Sequence, residues 1–418
     1  MLRPATKISI PEDWVVVILG FLIIGLAITG VRPVSPVYNW GNTNDLAGKI
    51  FEPVNLSKMG IQFLFLLGIA LIGILLTARP VKYFLYTFPL VYVITVLALV
   101  LAGNKAMKSL NLEAVIFSLA LGLIISNLFK LPGWFRNALS TELFVKTGLV
   151  ILGTTIIFSD ILKAGSYGLL QALVVVISVW YFAYWICRKM KIDSELTMMI
   201  SSAVSICGVS AAIATAGAIK GDAKKLSYVI SLVLICAIPM MICMPYIARW
   251  LGLSEAVTGA WLGGSIDTTG AVVASGTLVG EEALKISTIV KFSQNVLLGI
   301  AAFAISVYWT YNKKATDGET AKPTLLVIWE RFPKFVLGFI VASLLFSFIL
   351  NAAMIVEIKD GLKNIQSLWF VLAFTSIGLE TKFSDLLKVD NRKPMYAFLI
   401  AQLFNVIITL IIAYFLFK

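Results

Sequence analysis

The sequence predicts an all-α polytopic membrane protein with about thirteen transmembrane segments, inverted repeats and two discontinuous helices. Three observations predict it. The 418 residues are 59% hydrophobic and only 13% charged, with a mean hydropathy of +0.94; a soluble domain carries about a quarter charged residues. Apolar runs of roughly bilayer-crossing length recur from one end of the chain to the other. Two of those runs have centres made of Gly, Ser and Thr, where a lipid-facing helix would carry Leu, Ile and Phe.

Met1 to Asp13 is short and polar, and Trp14–Gly30 is the first apolar run. Val31-Arg32-Pro33 lacks the small residues of a signal-peptidase site, so this run reads as a retained anchor. A loop rich in Pro, Asn and Gly leads to runs at Ile61–Ala78, Val81–Ala102, Glu113–Phe129 and Glu142–Phe158. Leu131 to Ser140 reads as an interfacial turn with Trp134 at headgroup depth. Ser166–Cys187, Leu196–Gly217, Leu226–Trp250, Ala256–Ser275 and Ala283–Thr310 follow, then Lys334–Leu350, Leu368–Phe383 and Met395–Phe417. Tyr311 to Pro333 is the longest charged loop and is too short to fold as a domain. The larger share of loop Lys and Arg falls on the N-terminal side, which predicts a cytoplasmic N-terminus. Pro239 and Pro245 are read as kinks within one helix.

An internal echo predicts the repeats. The stretch from Gly153 to Lys163, GTTIIFSDILK, matches that from Gly378 to Lys388, GLETKFSDLLK, at six of eleven positions. The copies fall in the fifth and twelfth runs, an odd separation, so they would cross in opposite directions as inverted repeats do. The Phe-Ser-Asp element alone is equally what a helix N-cap requires.

The two interrupted runs carry the chemistry. The first is Ser201 to Gly221, with Ser205, Cys207, Gly208 and Ser210 at its centre. The second is Gly259 to Gly276, where Asp267 sits among Gly263, Gly264, Ser265, Thr268, Thr269 and Gly270. Small residues also serve close helix packing, but packing does not call for a carboxylate. Paired interruptions of this kind point to a transporter site near the bilayer midplane. A broken helix offers free N–H groups to an anion at one half-helix start and free C=O groups to a cation at the other half-helix end. Ser205, Cys207, Gly208, Ser210, Ser265, Thr268 and Thr269 are therefore the candidate substrate ligands, and Asp267 the candidate coupling group.

A carboxylate at that depth costs about 2.5–3.5 kcal/mol on insertion scales unless paired, protonated or bound to a cation. Lys291 is its candidate partner, with Gln294 and Asn295 three and four residues on and so on the same helix face. The alternatives are a purely structural Asp–Lys pair and a lysine that snorkels to the interface. Glu380, beside Gly378, is either a second site carboxylate or a span end. Glu142 and Lys146 are spaced for an ordinary helix ion pair. The chain has no His, its four Cys are scattered through apolar runs, and no nucleotide-binding Gly-rich loop, catalytic triad or metal-spaced ligand set is present. Neither an enzyme nor a cofactor is expected. The net charge of +12 is spread over short loops, which fits anionic lipid better than nucleic acid.

The pieces Ser205-Ile-Cys-Gly-Val-Ser-Ala211, Gly264-Ser-Ile with Val272-Val-Ala-Ser-Gly276, the stretch from Gly280 to Lys291 and the Gly378 element carry a resemblance. From about Val81 onward the chain resembles the family of uncharacterised bacterial inner-membrane proteins labelled sulfate exporters. The stretch from Ser205 to Ser231 is also similar to the crossing helix of bile-acid/sodium symporters. The resemblance implies an antiporter-like fold in which a core domain moves against a panel domain. It marks residues 1–80 as an N-terminal extension with two transmembrane helices and 81–418 as the transporter core. It departs from the family pattern where members carry His, an acid and then Gln; here Asp267, Thr268 and Ala271 stand. The expected function is secondary transport, in the export direction, of a small anion such as sulfate or an organic sulfonate or carboxylate. The expected partners are that anion, a coupling Na+ or H+, and the lipid bilayer of the cell inner membrane, with a homodimer left open. A sodium/proton-type cation antiporter of the same fold, a passive channel and a ligand-binding membrane sensor are the competing readings.

Overall fold

The computed structural model describes residues 9–109, 114–156, 158–219, 221–312, 326–381 and 392–418. Along the chain its main helices are α1 (Glu12–Ile28), α2 (Pro53–Leu76), α3 (Val81–Ala102), α4 (Ala114–Leu128), α5 (Thr141–Leu152), α6 (Phe158–Lys189), α7 (Ser194–Ser202), α8 (Val209–Ile219) and α9 (Ala223–Trp250). They continue with α10 (Glu255–Ser265), α11 (Thr269–Val279), α12 (Glu281–Asn312), α13 (Lys334–Leu344), α14 (Ala352–Glu380) and α15 (Lys393–Phe417). A π-helical turn, Ala203–Cys207, continues α7, and another, Leu345–Ile349, continues α13. No strand occurs among the described residues; one isolated bridge pairs Trp40 with Asn104.

Among the described residues, six stretches are long and apolar enough to cross a bilayer: Pro53–Leu76, Val81–Ala102, Ile161–Lys189, Lys224–Trp250, Glu281–Trp309 and Lys393–Phe417. Most of the other apolar runs form shorter helices, and the physical reason is local sequence. Gly153 opens a 3₁₀ turn that ends α5 after twelve residues. The Gly/Ser/Thr centres of the two interrupted runs end α7 and α10 early. Side-chain oxygens seed several starts, as N-caps do: Asp193 for α7, Asp222 for α9, Ser254 for α10, Thr268 for α11 and Asn351 for α14. At Asp222 the backbone N–H groups of Lys225 and Lys224 hold the carboxyl below its usual range. Pro239 and Pro245 lie inside α9 without ending it. Leu131 to Ser140 holds the short helix Gly133–Ala138, with Trp134 exposed.

The chain forms two compact units, each made of two stretches: Met1–Phe158 with Lys334–Lys382, and Ser159–Pro333 with Phe383–Lys418. In the first unit, α4 runs against α14. A Cβ on Gly378 would stand 2.5 Å from the Leu119 carbonyl oxygen and 2.8 Å from the Gly122 Cα, so the two main chains touch. Ser126 Oγ donates to the Gly378 and Thr381 carbonyl oxygens at 3.0 and 2.7 Å and closes the end of α14. Lys146 bridges Asp13 at 2.9 Å and Glu142 at 3.4 Å, so the helix pair read from spacing is present and is joined to α1. The described part of the Gly378 element ends at Thr381; Lys382 to Lys388 of the echo, and Ile157 of its first copy, lie outside the described residues.

In the second unit, α10 packs along α12, and glycines set the distance here too. A Cβ on Gly263 would fall 2.5 Å from the Ser287 carbonyl oxygen. α15 covers another face of α10, where Trp261 Nε1 donates to the Val406 carbonyl oxygen at 2.9 Å. This brings the breaks at Gly208 and at Ile266–Thr268 within reach of α12 and α15.

Where main chain meets main chain, no side chain can be accommodated. Replacing Gly378 with Leu should cost at least about 3 kcal/mol of stability. A fall in the thermal unfolding midpoint of the purified protein in detergent, of several degrees or outright loss of folded material, checks this; an unchanged midpoint would refute the α4–α14 contact.

Candidate functional site

Two helix interruptions meet inside the second unit. At the first, the Ala203–Cys207 π turn closes with Gly208 N–H donating to the Ala203 carbonyl, and α8 starts from Gly208. Gly208 has φ 63°, ψ −111°, a conformation closed to side chains. At the second, α10 ends at Ser265 and Ile266 is extended, and Thr268 is the N-cap of α11. The two breaks touch: a Cβ on Gly208 would lie 3.0 Å from the Asp267 Cβ and 2.6 Å from Val233 Cγ1.

Each break frees main-chain carbonyls that no helix N–H satisfies, and in apolar surroundings each would cost several kcal/mol if left bare. Here six carbonyls near the breaks take side-chain donors. Asn405 Nδ2 donates to the Val204 carbonyl at 3.1 Å and to that of Ser265 at 3.2 Å. Gln402 Nε2 donates to the Ser265 carbonyl at 2.8 Å. Gln294 Nε2 bridges the Ser205 and Gly264 carbonyls at 3.0 and 3.3 Å. Lys291 Nζ bridges the Ile206 and Ile266 carbonyls at 3.1 and 2.8 Å and also donates to Gln294 Oε1 at 2.8 Å. Thr409 Oγ1 donates to Asn405 Oδ1 and fixes which way that amide points. Lys291 and Gln294 of α12 and Asn405 of α15 thus join the two breaks, and Gln402 of α15 holds the second.

The charges sort by helix end. Lys291, 1% exposed, lies at the C-terminal ends of α7 with its π turn and of α10. Asp267, 2% exposed, lies beside the starts of α8 and α11. Each sits at the pole that the helix dipole favours for its sign. Among the described residues no ion pair joins them. Lys291 donates to main-chain carbonyls instead of to the carboxylate, and the two charges act on each other without direct contact. Asp267 Oδ2 is buried and has no hydrogen-bond partner. Ser265 Oγ, Gln402 Oε1 and Asn295 Oδ1 are also buried without partners. Three of these four oxygens belong to residues of the second break or to a residue bonded to it.

The other expected site residues divide. Ser205 Oγ is taken up by the Ser201 carbonyl at 2.7 Å, so its contribution to the cluster is its own carbonyl. Cys207 is buried, and Ser210 is exposed on α8. Thr268 Oγ1 accepts from Ala271 N–H, and Thr269 Oγ1 accepts from Asn295 Nδ2 at 3.3 Å. Glu380 belongs to the first unit, where Thr141 Oγ1 donates to it at 2.6 Å. Gln402 and Asn405 were missed. Their signal was a row of polar residues, Gln402, Asn405 and Thr409, at helical spacing in the otherwise apolar last run.

A chain of this hydropathy, with six helices long and apolar enough to cross a bilayer among the described residues, is a multi-pass membrane protein. It belongs to the family described as Conserved hypothetical protein 698, whose model matches residues 87–397. It is 39% identical over 380 residues to a UPF0324 membrane protein of Rhodopirellula baltica, covering 88% of this chain and 69% of that protein. Two UPF0324 membrane proteins of Nitratidesulfovibrio vulgaris are 36% and 37% identical over 379 and 358 residues, covering 88% and 83% of this chain. The chain spans 65% and 62% of those two, under two thirds of their length. No solved structure matches.

Removing one amide tests the carbonyl clamp. Asn405→Leu strips the Val204 carbonyl of its donor and should cost about 1–3 kcal/mol. The measurement is the unfolding midpoint of the purified protein, beside Leu403→Ala on the exposed face of α15 as a control expected to be near neutral.

Proposed function

We propose that the protein is a secondary transporter that works by alternating access, with Asp267 carrying the coupling proton or cation. The substrate on this reading is a small anion, sulfate or an organic sulfonate or carboxylate, moved outward across the cell inner membrane; no chemical step on the substrate is involved. The observation that carries the reading is a buried carboxylate with a free oxygen, set between the starts of two interrupted helices. A charge kept at such depth without a partner is costly, and transporters use this cost to make proton or ion binding drive a change of state. The starts of α8 and α11 supply the positive ends that would face an anion.

The finer architecture belongs to the same proposal: about thirteen crossings, with α7–α8 and α10–α11 as the two discontinuous helices and with a core moving against a panel. The repeat reading gains support from the unit boundaries. The chain leaves the first unit after Phe158 and again after Lys382, within one residue of equivalent points in the two copies of the echo.

A cation antiporter is the second reading, and one observation favours it. Three of the unpartnered oxygens around the second break, those of Asp267, Asn295 and Gln402, suit a cation or a proton, and no unpartnered buried side-chain N–H lies among the described residues of this unit.

In proteoliposomes, labelled sulfate or a small sulfonate should move saturably and accumulate against its gradient when a pH or sodium gradient is imposed. Asp267→Asn should abolish the accumulation, by at least about tenfold, while the folded yield stays. Flux of sodium or protons without any anion would select the antiporter, and unsaturated flux or none would remove the proposal.

A further inference from the structure

We propose that the Lys291 ammonium is a built-in cation, occupying the seat between two half-helix ends that would otherwise bind a monovalent metal ion. The argument starts from Nζ. It has three acceptors, the Ile206 and Ile266 carbonyls and Gln294 Oε1, at 3.1, 2.8 and 2.8 Å. Only the protonated amine has three N–H groups to give. Two of the acceptors are main-chain carbonyls at the C-terminal ends of two interrupted helices, the groups that coordinate cations in broken-helix transporters. Each such end carries about half a negative charge, so two ends balance one ammonium. Main chain therefore supplies the direct counter-charge of Lys291.

The assignment rests on the transporter reading only for its consequence: with this seat permanently filled, ion coupling falls on Asp267 alone. The seat itself is tested without transport. Asp267→Asn serves as the background, so that no cation response can arise at the carboxylate. In sodium-free choline buffer, Asp267→Asn/Lys291→Ala should unfold about 5–10 °C below Asp267→Asn. Methylammonium, ammonium or sodium, titrated against choline at equal ionic strength, should restore at least half of that loss saturably, and should leave Asp267→Asn unmoved. Asp267→Asn/Lys291→Gln, which keeps a donor but no charge, should show a smaller loss and the same direction of rescue. The assignment is overturned if Asp267→Asn is itself stabilised saturably by sodium or methylammonium, or if neither double variant responds to any of the three cations. If Lys291→Ala does not fold, the Gln variant and the background titration decide. Loss of transport in Asp267→Asn with no rescue here would sink this inference and keep the transporter; rescue without any wild-type transport would do the reverse.

Discussion

The main chain cannot carry unpaired carbonyls in a low-dielectric interior, and this constraint governs the second unit. α7 with its π turn and α10 both stop short, and side chains take up the carbonyls of Val204, Ser205, Ile206, Gly264, Ser265 and Ile266. An amide NH₂ has two hydrogens and an ammonium has three, so a few side chains can serve many carbonyls. Gln294, Asn405 and Lys291 each bridge one carbonyl from the first break to one from the second. Satisfying the carbonyls and joining the breaks are the same act. Small residues make the approach feasible: Gly208 faces Asp267 where any Cβ would collide with Val233, and the glycine face of α10 lets it lie against α12.

This arrangement separates two charges that composition alone would have paired. The ammonium is fixed by three acceptors, and its removal exposes carbonyls of both breaks at once. The carboxylate has one free oxygen and neighbours whose own oxygens are also free. Electrostatically the two are placed alike, each at helix ends of opposite sign. They differ in how far they are tied down. On the proposed reading, a fixed positive group and an adjustable negative one confine the response to protons or cations to one position.

Much of this was legible in the sequence, for a physical reason. A polar residue in an apolar run costs free energy, so Asp267, Lys291 and Gln294 announce themselves by cost. Gly208 does so by its place among serines in a run that ought to be Leu and Ile. Which atoms meet is another matter. Residue type does not tell whether a hydroxyl faces a cavity or its own helix: Ser205 turns back onto Ser201, and Ser210 lies exposed. The Asp267–Lys291 pairing was inferred from opposite charge, but the main-chain carbonyls that take its place are invisible in a list of side chains. Gln402 and Asn405 escaped because the last run is apolar on average, and averaging hides a one-sided polar stripe. Spans were also harder to count than to detect, because hydropathy does not reveal where a helix stops: α5 ends at Gly153 inside an apolar stretch.

The position of Asp267 bears on how an anion and a coupling ion could share one site. Its carboxylate lies beside the starts of α8 and α11, the positive poles that would attract a sulfate or carboxylate. An ionised Asp267 is itself the anion at those poles, and an incoming anion would meet like charge. A protonated or cation-bound Asp267 removes that repulsion. On the proposed reading, coupling is competition for one pair of helix starts, and a distant relay is unnecessary. The fixed ammonium keeps the opposite poles neutral throughout, so the balance turns on the carboxylate alone. The same logic explains why the carboxylate is left loose: a tight salt bridge to Lys291 would hold it ionised and leave the helix starts permanently occupied.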